Sequence, residues 1–204
     1  MQHDRAMGNL DYARIKDEFY PTPEWCTRGL IDVAADFICH HDCIWEPAAG
    51  KMDISNVLAA DGHAVYSSDL LCYDYNLPVV AGVDFLTIGA MPGRTTAIVT
   101  NPPYGKVDKK VLSDEFVRHA LALTSQVDGV VAMLLRNEFD SAKGRRDIFQ
   151  DHLAYAAKIV LTSRPRWFPD STGSPRHNYA WFVWDWSLVG SRRRPEPAIR
   201  YIFK

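Results

Sequence analysis

Short apolar runs and amphipathic stretches alternate along most of this chain. In "YPTPEWCTRGLIDVAADFI", Leu30, Val33, Ala34 and Phe37 recur at helical spacing, with Thr22 placed as N-cap and Pro23 at the first helical position. "CIWEPAAG" reads as a short apolar strand ending in a turn, "ISNVLAADG" as a helix stopped near Gly62, and "HAVYSSDL" as the next strand. "TTAIVTNPPYG" gives another strand, "DEFVRHALALTSQ" a helix, and "GVVAMLLR" a continuously apolar strand suited to a sheet interior. "RRDIFQDHLAYA" has the pattern of a further helix. "AKIVLTS" and "YAWFVWDW" close the series as strands joined by a loop rich in Pro, Arg and Ser, and the alternating aromatics of the last one read as sheet packing.

Strands alternating with helices imply βαβ units around a mostly parallel sheet. The final two strands have no helix between them, so the last is expected to pair antiparallel. The expected architecture is an α/β three-layer domain whose ligands sit at the carboxyl ends of the strands, near the point where strand order reverses. The 204 residues suit one such domain over 20–190, with 1–19 as an N-terminal extension and 191–204 as a basic C-terminal tail.

Composition narrows the class only a little. At 47% hydrophobic and 24% charged residues, the chain is that of an ordinary globular protein and not of a disordered one. No apolar run approaches the roughly 18 residues of a membrane helix, and the polar N-terminus has no signal-peptide core. A cytoplasmic protein without a membrane partner is expected, with a monomer as the default. "CHHDC", Cys39 to Cys43, places thiols and imidazoles together, but no second pair completes a tetrahedral site, so no metal is expected. Charge is more telling in its distribution than in its net value of −2. Residues 1–135 hold 10 basic and 18 acidic side chains, whereas 136–204 hold 13 and 7. An acidic half beside a basic half suits an enzyme that holds a cationic cofactor in one part and meets phosphates with the other.

Three strand ends carry candidate chemistry: "EPAAG", Asp69 of "YSSDL", and "NPPY" at Asn101 to Tyr104. A glycine turn after the first strand lets a cofactor approach the backbone, and an acid after the second can accept ribose hydroxyls. "AAGKMDIS" lacks the upstream glycine and the following Ser or Thr of a phosphate loop, which disfavours a site built on pyrophosphate. The two prolines of "NPPY" remove backbone donors and stop the strand. The Asn101 side-chain oxygen and the Pro102 carbonyl, held in place by Pro103, offer two acceptors for the two N–H groups of an amine conjugated to a ring. Such an amine is a poor nucleophile, and binding both N–H groups favours a pyramidal nitrogen with its lone pair directed at an electrophile. Tyr104 is expected to be an exposed surface on which the ring stacks.

"EPAAG" followed by "NPPY" in an alternating α/β chain resembles the S-adenosylmethionine-dependent DNA amino-methyltransferases, the adenine-N6 and cytosine-N4 group, in their small phage and prophage form. The resemblance runs from about Tyr20 to Trp186 and takes in "YPTP", "GHAVYSSDL", "VDFL", "TNPPYG", "VAMLLRNEF" and "RPRW…NYAWFVWDW". It implies a class I, Rossmann-type sheet, S-adenosyl-L-methionine as cofactor and DNA as partner, with RNA as an alternative. It further implies that Thr22 contacts the methionine part of the cofactor and that Glu46, Ala48 and Gly50 form the first cofactor loop. Asp69 would bind the ribose, Asp84 the adenine amine, and Phe85 would pack on the adenine ring. Asn101, Pro102, Pro103 and Tyr104 would form the catalytic loop, with Asn101 also at the cofactor.

Two features depart from the group. Its cofactor loop usually ends G-x-G, and here Met52 stands where the second glycine is expected, which implies an altered pocket rim. A large target-recognition region is not expected within 204 residues, which leaves "SRPRWFPDSTGSPRHNYAW" as the candidate surface, with Arg164, Arg166, Trp167, Arg176 and His177 expected to meet nucleic acid. The run Arg192 to Arg194 reads as a solvated tail. The leading expectation is methylation of N6 of adenine in DNA. The alternatives are an RNA base or a protein glutamine amide as target, or a non-catalytic binding protein of the same fold.

Overall fold

The computed structural model describes residues 19–168, 174–190 and 196–204. The first helix, α1 (Glu24–Val33), is followed by the single turn α2 (Ala35–Ile38) and by strand β1 (Cys43–Glu46). Helix α3 (Asp53–Ala60) leads into β2 (Ala64–Asp69), and the two-residue β3 (Val80–Ala81) precedes β4 (Ala97–Thr100). A small hairpin, β5 (Lys106–Val107) with β6 (Lys110–Val111), runs into α4 (Leu112–Thr124). Strands β7 (Val130–Arg136), β8 (Tyr155–Leu161), β9 (Tyr179–Asp185) and β10 (Ala198–Ile202) complete the series.

Eight of these strands form one sheet in the order β10-β8-β9-β7-β4-β1-β2-β3. All its neighbours pair parallel except β9, which runs antiparallel to both β7 and β8. The expected antiparallel strand is therefore present, and it lies inside the sheet. Because β9 is covered on both faces, all seven of its residues are buried, with Trp181 and Val183 on one face and Phe182 and Trp184 on the other. Helices α1, α2 and α3 cover the first face through Leu30, Ile38, Ile54 and Leu58, and α4 covers the second through Phe116, Val117, Ala120 and Leu121. This is the three-layer, mostly parallel sheet of the class I methyltransferase fold. Strand order reverses between β1 and β4, since the chain passes from β1 to β2 and β3 on one side and returns to β4 on the other. The carboxyl ends of β1 and β4, which carry Glu46 and Asn101, therefore flank the switch point.

Three expectations are corrected. Thr22 does not cap the first helix: Pro23 occupies the N-cap with an extended backbone (φ −57°, ψ 134°), and no side chain bonds the helix N-terminus. "RRDIFQDHLAYA" is not an α-helix. A 3₁₀ segment, Lys143–Ile148, ends at Phe149 (φ −121°, ψ −83°), where Ile148 and Phe149 both turn into the core and Phe149 packs on Phe182 and Trp184. Residues 198–202, placed in the tail, form strand β10 beside β8; Ile202 packs on Gly29 of α1, and Arg200 bonds Asp36 and the Val33 carbonyl. Arg192 to Arg194 lie outside the described residues. No helix among the described residues is long and apolar enough to cross a membrane.

Candidate functional site

A cavity of about 670 Å³ opens at the switch point, within the roughly 300–1,000 Å³ range of small-molecule sites. Thr22, Glu46, Ala48, Gly50, Asp69, Asp84, Phe85 and Asn101, the full set expected at the cofactor, all line it. The turn after β1 is drawn to the end of β2 by two bonds: the Ala49 N–H donates to the Ser68 carbonyl at 3.0 Å, and the Gly50 N–H to Asp69 Oδ2 at 2.9 Å. Asp69 Oδ1 accepts from the Leu71 N–H at 2.9 Å, so this carboxylate organises both loops around the cavity. Gly50 is required twice over, by its left-handed φ of 53° and because a Cβ there would lie 2.5 Å from the Phe19 ring.

Glu46 is 1% exposed and faces the start of α3, where its Oε2 accepts from the Ser55 N–H at 2.8 Å and from the Ser55 hydroxyl. Burial pushes its carboxyl well above the ordinary range, and burial likewise raises Asp69 and Asp53. Asp84 starts the turn that carries Phe85, accepting from the Leu86 N–H at 3.1 Å. Phe85 is buried against Trp45, Phe116 and His119. Asp53, Asp108 and Glu115 join Glu46, Asp69 and Asp84 in the lining, where Lys110 is the one basic side chain among the described residues. A wall this rich in carboxylates fits a cationic ligand and opposes a phosphate. Sequence reasoning missed Asp53, Phe19, Tyr73 and the β5–β6 hairpin, all of which line or border the cavity. The signal available was position alone, since they fall in the segments that lead into or out of the motifs.

Met52 takes the left-handed conformation (φ 68°, ψ 27°) that a glycine would supply, and it serves as the N-cap residue of α3. Its side chain is not part of the cavity lining, so the expected change to the pocket rim is replaced by a backbone strain. Met52→Gly is accordingly expected to raise stability by about 1 kcal/mol, a rise of roughly 2–4 °C in melting temperature, and to leave ligand affinity unchanged. Thermal unfolding with and without ligand measures both.

At the end of β4, Asn101 Nδ2 donates to Thr22 Oγ1 at 3.1 Å and to the Tyr20 carbonyl at 3.3 Å. The Tyr104 hydroxyl lies 2.5 Å from Asn101 Oδ1 and 2.7 Å from the Leu134 carbonyl. Tyr104 is thus half-buried, and its ring is not the free flat surface expected. It packs edge-on against Tyr20 and Tyr179, because its hydroxyl is drawn inward to these two acceptors. Burial holds that hydroxyl well above the usual tyrosine range, so it stays protonated at neutral pH.

The same ring cluster reaches the proposed nucleic-acid loop. Trp167 packs against Tyr20 and, at 4.9 Å, edge-to-face on Tyr179, so it is anchored in the ring cluster that also holds Tyr104. Arg164, Arg166, Arg176 and His177 are exposed around it, with Arg164 bonded to the Asn178 side chain and the Pro175 carbonyl. Partial burial of the ring and the nearby arginines lower the His177 pKa.

No protein-family model and no curated protein matches the sequence. Among solved structures, the chain is similar to the modification subunit of a proposed type I restriction enzyme from Vibrio vulnificus, with a TM-score of 0.58 and 13% identity over 94% of this chain and 49% of that one. It is similar to a proposed RNA methyltransferase from Pyrococcus horikoshii, with a TM-score of 0.60 and 14% identity over 82% of this chain and 86% of that one. It is also similar to the type IIG restriction endonuclease BpuSI, with a TM-score of 0.59 and 14% identity over 84% of this chain and 26% of that one. The chain spans about half the length of the Vibrio protein.

Proposed function

We propose that this chain is an S-adenosylmethionine-dependent methyltransferase acting on the exocyclic amino group of a nucleic-acid base, with N6 of adenine in DNA as the leading target. The observation that carries this reading is the Asn101 amide, which lines the carboxylate-rich cavity with its nitrogen bonded to Thr22 and the Tyr20 carbonyl and its oxygen sharing one lone pair with the Tyr104 hydroxyl. The cavity fits the cofactor in charge, in volume and in the glycine turn that admits close approach. When bound there, the cofactor supplies a methyl group on a cationic sulfur. Asp69 accepts the ribose hydroxyls, Asp84 accepts from the adenine amine, and Phe85 forms the apolar wall beside the ring. Asn101 Oδ1 and the Pro102 carbonyl accept the two N–H groups of the target amine, so that its lone pair is localised toward the methyl group. Buried Pro102 and half-buried Pro103 keep that carbonyl from relaxing. A base inside a duplex must be flipped out to reach this depth, and the basic Ser163–Trp181 region beside Tyr104 suits the displaced strand's phosphates.

The non-catalytic alternative loses its sequence support, because Met52 keeps a glycine-like backbone and leaves the cavity open. Mass spectrometry of DNA and RNA nucleosides and of digested protein from cells expressing the wild type or Asn101→Ala tests the reading. New N6-methyladenine in DNA with the wild type alone supports it. Marks confined to RNA or protein replace the DNA target, and no mark in any of the three rejects the transferase.

The cofactor's positive charge sets the pH dependence. Glu46, Asp53 and Asp69 hold their protons more tightly in the empty folded protein than in the unfolded chain, so their contribution to stability is present at acid pH and is lost as pH rises through their folded pKa values. A bound cation favours the ionised forms. Binding is therefore expected to release protons and to tighten as pH rises from the ordinary carboxylate range through these raised values. Calorimetry in buffers of different ionisation enthalpy reads the proton release directly.

A further inference from the structure

A carboxamide presents an acceptor at one end and a donor at the other in nearly the same shape, and only the oxygen end serves a substrate amine. In Asn101 the two hydrogens of Nδ2 meet two acceptors, the Tyr20 carbonyl and Thr22 Oγ1. At the opposite end Oδ1 has two lone pairs, and the Tyr104 hydroxyl takes one. That hydroxyl has a single proton and a second acceptor in the Leu134 carbonyl, which lies beyond the pairing with β4 because that pairing stops at Met133. One lone pair of Asn101 Oδ1 is thus left for an incoming N–H, and every other polar position of the amide is satisfied within the protein.

The segment that supplies the two acceptors is stiff. In "YPTP", Pro21 and Pro23 fix their own φ and restrict Tyr20 and Thr22 to extended backbone. Thr22 is 5% exposed and lies 79 residues from Asn101 in sequence, so its hydroxyl is a buried group delivered from a different part of the fold. A flipped amide would set its oxygen against the Tyr20 carbonyl, which can only accept, and would leave its nitrogen facing the substrate's own N–H.

We infer that Thr22 is a positioning residue for the transfer reaction: its hydroxyl, together with the Tyr20 carbonyl, fixes the Asn101 amide with the oxygen end toward the substrate amine. This rests on the transferase reading above and gives Thr22 a task beyond lining the cofactor cavity. Thr22→Val keeps the shape and deletes the acceptor, which leaves one Nδ2 hydrogen unpaired and the Tyr20 carbonyl as the one remaining partner holding that end of the amide.

The test combines kinetics with a readout that needs no substrate. At saturating cofactor and substrate, Thr22→Val should lower turnover by about tenfold while the cofactor Kd stays within about threefold, and Thr22→Ser should restore turnover. In nuclear magnetic resonance spectra, the Asn101 side-chain amide pair, assigned by its loss in Asn101→Ala, should exchange slowly with solvent in the wild type and Thr22→Ser and rapidly in Thr22→Val. An unchanged amide pair in Thr22→Val overturns the inference. So does a turnover defect that excess cofactor abolishes, since Thr22 would then act only through cofactor binding. If the wild type transfers no methyl group to any substrate, the transferase reading fails while the amide exchange still decides the role of Thr22.

Discussion

Asn101→Ala is expected to lower methyl transfer by on the order of 10²–10³-fold, the effect of removing one preorganised polar group that acts on the reacting atom. The loss belongs to turnover because, in the proposed reaction, the side chain's free lone pair takes the target amine. Its remaining bonds are internal, to Thr22, Tyr20 and Tyr104. The fold should tolerate the change: the Tyr104 hydroxyl keeps the Leu134 carbonyl as acceptor, and Asn101 is half-buried, so water can reach the Tyr20 carbonyl. Cofactor affinity should move by only a few-fold, since the carboxylates and the Gly50 turn stand apart from this contact. Single-turnover kinetics with the cofactor Kd measured in parallel separates the two quantities. A variant that keeps more than about a tenth of wild-type turnover would show that another group orients the amine.

The strand ends were legible because their chemistry is local. "EPAAG", Asp69, "VDFL" and "NPPY" each sit in a few consecutive residues, and the α/β alternation alone places strand ends on one edge of a sheet. Their convergence on one cavity follows from strand order, which the alternation of elements does not encode. The errors fall where tertiary contacts override local pattern. Ile148 and Phe149 satisfy a helical spacing, yet both are claimed by the aromatic core around Phe182 and Trp184, and the backbone breaks between the two needs. Strand β10 follows a run of arginines, and its burial alternates weakly because only its even-numbered residues face α1. Without knowledge of the uncapped edge of β8, "AIRYI" gives no reason to be read as sheet. Tyr104 shows a different limit: sequence specifies an aromatic beside two prolines, whereas the direction of its hydroxyl depends on Leu134, thirty positions away.

Asp69→Ala is expected to weaken S-adenosylmethionine binding by about 10- to 150-fold, equivalent to the roughly 1.5–3 kcal/mol of a hydrogen bond to a charged group. Two effects of the substitution must be told apart. The carboxylate holds the Gly50 and Leu71 N–H groups at 2.9 Å each, so its loss loosens the loops as well as removing a ligand contact. Asp69 is also 8% exposed with a carboxyl raised by burial, so its removal relieves a desolvated charge and offsets part of the lost bonding. Asp69→Asn separates these contributions. It keeps one acceptor for a loop N–H but places an NH₂ where the second carboxylate oxygen stood, and it cancels the charge. If the negative charge and the ribose contact dominate, calorimetry should find Asn nearly as weak as Ala, with both melting temperatures close to the wild type. If loop support dominates, Asn should bind appreciably better than Ala, and Ala alone should melt lower. Wild-type affinity in Asp69→Ala would remove this residue from the cofactor site and, with it, the assignment of the β1–β2 edge as the place where the ribose is held.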